Sequence, residues 1–153
     1  MRLWTVLIAT LALAWAVPMA AEPQQKPELT AVALALALQD KGTVALHEVR
    51  FDEGKATIKV ESARTLASIG ELLQSDPTLT VEIQVHTDNA GTPAVNLRLS
   101  RSRAVAVKTY LVENLGITPE RLMTSGFGDT RPVASNVMEE GRAQNRRVEL
   151  VKK

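Results

Sequence analysis

Apolar and polar residues alternate from Leu79 through Thr80, Val81, Glu82, Ile83 and Gln84 to Val85. This period of two predicts a half-buried strand that delivers His86, Thr87 and Asp88 to its end. Past a short loop the period changes to that of a helix over residues 94–115, with Gly116 as a left-handed stop. On that helix Val107 and Leu111 fall on the inward stripe. Traced toward the N-terminus, the stripe stops being apolar and carries Asn96, Ser100 and Arg103 at i, i+4 and i+7, with Asp88 just upstream. Polar groups on an inward stripe need partners, because leaving them dry and unpaired costs more than they gain. Two readings follow. In one, Asp88 and Arg103 pair with each other, Asn96 ties down the loop and Ser100 bonds a helix carbonyl; in the other, they receive a ligand.

The remaining pattern surrounds this segment with an α/β or α+β sandwich in two layers. An Ala-rich stretch over residues 30–42 predicts a short helix ended by Gly42, since Ala favours helix over strand. Residues 43–51 read as a strand, rich in Val and closed by Asp52, Glu53 and Gly54. A helix from Ser62 presents Ala63, Leu66, Ile69, Leu72 and Leu73 on one face and stops at Asp76 and Pro77. Residues 122–127 predict a strand ended by Gly126 and Gly128, followed by a loop, a helical turn near Glu139 and a last strand over 147–151. The order is strand, helix, strand, helix, strand, strand.

Composition narrows the setting. One basic residue, Arg2, precedes an apolar run to Val17 and then Pro18, Met19, Ala20 and Ala21, which describes a secretory signal peptide over residues 1–21. An uncleaved inner-membrane anchor is the alternative, although the run is shorter than the roughly 20 residues that span a bilayer. Residues 22–29 read as a flexible leader. There is no cysteine, which excludes disulfides, thiol catalysis, thiolate metal sites and acylation of a cysteine. Removing Arg2 from the 18 basic residues leaves 17 against 17 acidic ones, a balance unlike that of a nucleic-acid binder. Periplasmic localisation is the expectation.

Six segments then stand in register: FDEGKATI from Phe51, HTDNAG from His86, NLRLSRSRAVAV from Asn96, GITPERLMTSGFG from Gly116, RPVASN from Arg131 and GRAQNRRVEL from Gly141. Together they resemble the OmpA-like C-terminal domain, a peptidoglycan-binding family of Gram-negative envelopes. The resemblance covers residues 43–153 and implies a βαβαββ two-layer domain with a mixed sheet. Its implied ligand is the diaminopimelate of the wall's stem peptide, with Asp88 holding the ammonium and Arg103 the carboxylate. A guanidinium suits a carboxylate because it can make two parallel bonds to it. Thr87, Asn96 and Arg146 fall on family positions at the ligand. Asp52 is a further position of this kind, or else caps the turn before Ala56 through its carboxylate. Gly91 is expected to serve a backbone angle. One departure is Val85, where the family usually has glycine; it either crowds the neighbouring backbone or adds to the core.

Catalysis is the rival class. His86 and Asp88 share a strand end near His47, but no third ligand completes a metal site and no nucleophile motif accompanies them. The expectation is a non-enzymatic module without cofactor or metal. Its partner is peptidoglycan, with envelope proteins or a second copy as further candidates. The alternative function is an exported adaptor that uses the same fold without binding wall.

Overall fold

The computed structural model describes residues 29–153; the expected signal peptide and all but the end of the leader lie outside the described residues. The Ala-rich stretch forms α1 (Ala31–Lys41), with the Thr30 hydroxyl accepting from the Ala33 amide and Gly42 closing the helix at φ 69°. The next strand is shorter than its composition suggests. β1 (Thr43–Leu46) stops once Leu46 has paired with Val148, and Phe51 makes only an isolated bridge to Ile58. The intervening residues therefore leave the sheet and rim a cleft described below.

A short 3-10 turn (Val60–Ser62) leads into α2 (Ala63–Ser75). Its buried face carries Leu66, Ile69, Leu72 and Leu73, but Ala63 is exposed, because in the first turn Ser62 and Thr65 take the inward positions and turn Ala63 outward. β2 (Val81–His86) follows, then α3 (Pro93–Leu115), whose Thr92 cap accepts from the Val95 amide and whose Gly116 stop has φ 67°. β3 (Leu122–Gly128), α4 (Glu139–Asn145) and β4 (Arg147–Lys152) complete the chain.

The four strands form one mixed sheet in the order β1, β4, β2, β3. β4 runs antiparallel to both β1 and β2, and β2 runs parallel to β3. Alternation sends Leu46, Val81, Ile83, Val85, Val148 and Leu150 to the face that the helices cover, where they join Leu34, Leu66, Ile69, Leu73, Val107 and Leu111 in the core. Burying a side chain of this size stabilises the fold by roughly 1.5–3 kcal/mol. Val85 belongs to this core at 1% exposure, so the departure from glycine adds packing there.

α3 lies unusually close to β3. A Cβ on Gly126 would overlap the backbone of Arg101, and one on Gly128 would press on Leu97, so both glycines give the helix clearance. Gly128 ends β3 as expected, at φ 54°, whereas Gly126 lies within the strand. The inward stripe of α3 reads Asn96, Ser100, Ala104, Val107 and Leu111. Arg103 stands one position off it and is only half-buried.

Candidate functional site

The end of β2, the start of α3 and the turn after Phe51 converge on an open cleft of about 880 Å³, closed on its far side by α4 and the start of β4. Asp88, Asn96, Arg103 and Arg146 all line it, as does Thr87.

Asp88 is held from several directions. The Thr87 hydroxyl donates to its carbonyl oxygen at 2.8 Å, and Asn96 Nδ2 donates to the same oxygen at 3.3 Å. Its carboxylate Oδ1 accepts the Ala90 amide at 3.0 Å, a local Asx arrangement that fixes the side chain. Oδ2 accepts from Arg146 Nη1 at 2.7 Å. At 8% exposure Asp88 is nearly enclosed, yet it still opens on the cleft. Thr87 and Asn96 thus act on Asp88 through its main chain. Gly91 turns the following loop at φ 89°, a conformation that L side chains rarely adopt.

Arg103 is arranged differently. Its Nε donates to the Lys55 carbonyl at 2.8 Å and its Nη2 to the Asp52 carbonyl at 3.1 Å, while the guanidinium sits 4.9 Å over the Phe51 ring. These contacts fix the plane of the group without neutralising it, and among the described residues no carboxylate forms an ion pair with it. Burial lowers its pKa from the ordinary arginine value, and the nearby Asp88 charge acts in the opposite direction. The direct Asp88–Arg103 pair anticipated by the structural reading does not form; Arg146 takes Asp88 and backbone carbonyls take Arg103. Asp52 contributes to this through its main chain. Its carbonyl also accepts the Lys55 amide at 3.1 Å and its amide donates to Thr57, so the turn is closed by backbone bonds and no carboxylate cap is observed.

Ser100 faces away from the cleft. Its hydroxyl donates to the Leu97 carbonyl at 2.9 Å and accepts the buried Gly128 amide at 2.8 Å, which makes it a fastener between α3 and β3.

Two further groups stand out. Arg146 bridges Asp88 and Glu139, with Nη2 2.5 Å from Glu139 Oε1, and these two acceptors raise its pKa. Sequence reasoning did not single out Glu139, since nothing in its spacing signals a contact across the mouth of the cleft. His86 is 3% exposed, stacks on Phe127 at 5.3 Å and has no hydrogen-bond partner on either ring nitrogen. Its charged neighbours are Arg147, Glu149 and Arg131, and burial together with the two arginines pulls its pKa down to about 4. Among the described residues no group of three or more potential ligands could hold a metal ion, and His47 lies exposed at the cleft rim.

Known proteins share this arrangement of elements. The chain is 38% identical over 134 residues to outer membrane protein A of Bordetella avium, a match covering 88% of this chain and 64% of that protein. It superimposes on the peptidoglycan-associated lipoprotein of Burkholderia pseudomallei with a TM-score of 0.61 at 32% identity, covering 72% of this chain and 89% of the other. On the cell wall anchor of the type VI secretion system (T6SS) of Pseudomonas aeruginosa the TM-score is 0.62 at 27% identity, covering 84% of this chain and all of the other. The chain spans less than two thirds of the length of such curated relatives, 64% of the Bordetella protein and about 30% of the outer membrane porins F of two Pseudomonas species. Residues 50–146, which hold every cleft residue discussed except His47 and Arg147, match the OmpA family, and the chain belongs to that family.

Proposed function

We propose that this chain binds peptidoglycan non-covalently through the diaminopimelate end group of the stem peptide and so ties an envelope component to the wall. The observation that carries this reading is the pairing of a fixed carboxylate with a fixed guanidinium that has no carboxylate partner, both opening on one cleft. Diaminopimelate ends in an ammonium and a carboxylate on one carbon. Asp88 takes the ammonium and Arg103 the carboxylate, through the edge of the guanidinium that its carbonyl contacts leave uncommitted. Thr87 and Asn96 hold Asp88 in place, Asp52 holds Arg103 through its carbonyl, and Arg146 stands at the rim beside Asp88. The similarity to a peptidoglycan-associated lipoprotein and to a cell wall anchor supports the same reading. The work is binding, with no bond made or broken.

Partly exposed charge pairs contribute modestly, so a single stem peptide is held with a dissociation constant on the order of micromolar to millimolar. The wall repeats its ligand, and rebinding keeps the protein close despite rapid release. A periplasmic, wall-associated location follows from this reading; among the described residues no helix is long and apolar enough to cross a membrane.

The test is retention on purified sacculi. Wild type is expected to co-sediment, and Asp88→Ala and Arg103→Ala are expected to stay in the supernatant while remaining folded by circular dichroism. Retention that is absent in wild type, or unchanged in both variants, overturns the reading and favours an exported adaptor.

A further inference from the structure

The Asp88 carboxylate has both oxygens engaged: Oδ1 by the Ala90 amide and Oδ2 by Arg146. A cationic ligand group approaching from the cleft meets a guanidinium already seated on the oxygen that it needs. That guanidinium is shared. Arg146 reaches Asp88 with Nη1 and Glu139 with Nη2, and the Glu139 side chain lies toward solvent at 59% exposure while that of Asp88 is at 12%. Glu139 is itself held in place, since its Oε2 accepts Arg142 Nε at 2.9 Å and Arg142 Nη1 is anchored on the carbonyls of Asn136 and Val137.

We propose that Arg146 is an internal stand-in for the ligand ammonium, and that Glu139 is the positioning residue that takes Arg146 over when an ammonium seats on Asp88. This inference rests on the reading of Asp88 as the ammonium subsite. The exchange replaces one cation by another on the inner carboxylate, so Asp88 is at no stage left buried and unpaired. Because Glu139 already holds Nη2, the guanidinium needs only to release Nη1 and rotate outward, keeping one charged partner throughout. The device also selects. A ligand bearing only a carboxylate has nothing with which to replace Arg146, whereas an end group carrying both charges satisfies Asp88 and Arg103 together.

The test is a double-mutant cycle on the full chain, titrated with meso-diaminopimelate by calorimetry. Glu139→Gln keeps the shape and removes the receiving charge, leaving Arg146 committed to Asp88; the dissociation constant is expected to rise roughly two- to five-fold. In an Arg146→Gln background there is no guanidinium to receive, and Glu139→Gln is expected to leave the dissociation constant of that background unchanged. The Arg146 side-chain nitrogen resonances of wild type are expected to shift on saturation. A wild-type affinity for Glu139→Gln, an equal effect in both backgrounds, or static Arg146 resonances overturns the inference while leaving ligand binding at Asp88 intact. A wild type that binds no diaminopimelate overturns both.

Discussion

The Ser100 hydroxyl accepts the Gly128 amide at 2.8 Å, joining the first half of α3 to the end of β3, two residues past Gly126, where the Arg101 backbone leaves no room for a side chain. The same turns of α3 carry Asn96 and Arg103, so this fastener sets the height of one wall of the cleft.

Gly126→Ala is expected to destabilise the protein by about 1–3 kcal/mol or more, because the new methyl meets the Arg101 backbone with no flexible side chain to yield. Ser100→Ala leaves the Gly128 amide buried without its acceptor and is expected to cost about 1–3 kcal/mol. Urea unfolding of the two variants measures both. A wild-type midpoint for Gly126→Ala would show that the helix stands further from the strand.

Arg103→Lys tests the carboxylate side of the cleft. A lysine keeps the charge but loses the fork and the two carbonyl anchors at Asp52 and Lys55, so diaminopimelate affinity is expected to fall roughly ten-fold. Asp88→Asn is expected to lose diaminopimelate binding, since an amide offers an ammonium no opposite charge. Calorimetry with the free amino acid reads both, and full affinity in either variant removes that residue from the site.

Retention on sacculi is expected to weaken steadily as sodium chloride is added, because partly exposed charge pairs are screened over about 10 Å at 0.1 M salt and over about 3 Å at 1 M. Sedimentation in a salt series checks this. Retention unchanged up to about 1 M would point to apolar or backbone contacts in place of charges.

Acid is expected to destabilise the fold in two overlapping steps. His86 has a pKa of about 4 in the folded state against 6.5 for a free imidazole, so between those values the unfolded chain binds the extra proton. Stability therefore rises with pH across that window, is fully present above 6.5 and is lost as pH falls toward 4. Glu82 continues the trend. Its hydrogen bonds to Lys153, Ser125 and Gln84 bring its pKa to about 2, so the stability it contributes is present above 4.5 and lost as pH falls through about 2. His86→Phe keeps a ring stacked on Phe127, removes two buried nitrogens that lack hydrogen bonds, and is expected to match or exceed wild-type stability while flattening the profile between pH 6.5 and 4. A profile identical to wild type would place the titrating group elsewhere.

Elements with chemical end-markers were legible in the sequence. Thr30 with Gly42 bounds α1 and Gly116 ends α3, because a hydroxyl cap and a left-handed glycine are local devices that need no tertiary contact. The length of β1 was not legible, since its end depends on where the partner strand β4 stops pairing. Asn96 and Ser100 were correctly placed on the buried stripe of α3, and Arg103 was placed one position too far inward because a hundred-degree step cannot separate the edge of a stripe from its centre. Which arginine meets which carboxylate was hidden for a different reason. Arg146 lies 58 residues from Asp88 and Arg103 lies 51 from Asp52, and separations of that size leave no trace in a local period.

Because β4 lies between β1 and β2, the strand that fills the middle of the sheet is the last of the described elements to leave any machinery that makes or exports the chain. Until it arrives, β1 has no strand partner, β2 lacks one edge, and Arg146, immediately before β4, has no fixed place beside Asp88. Without the last two elements the cleft lacks the wall that Glu139, Arg146 and Arg147 provide, so its shape depends on the pairing of β4 with β2.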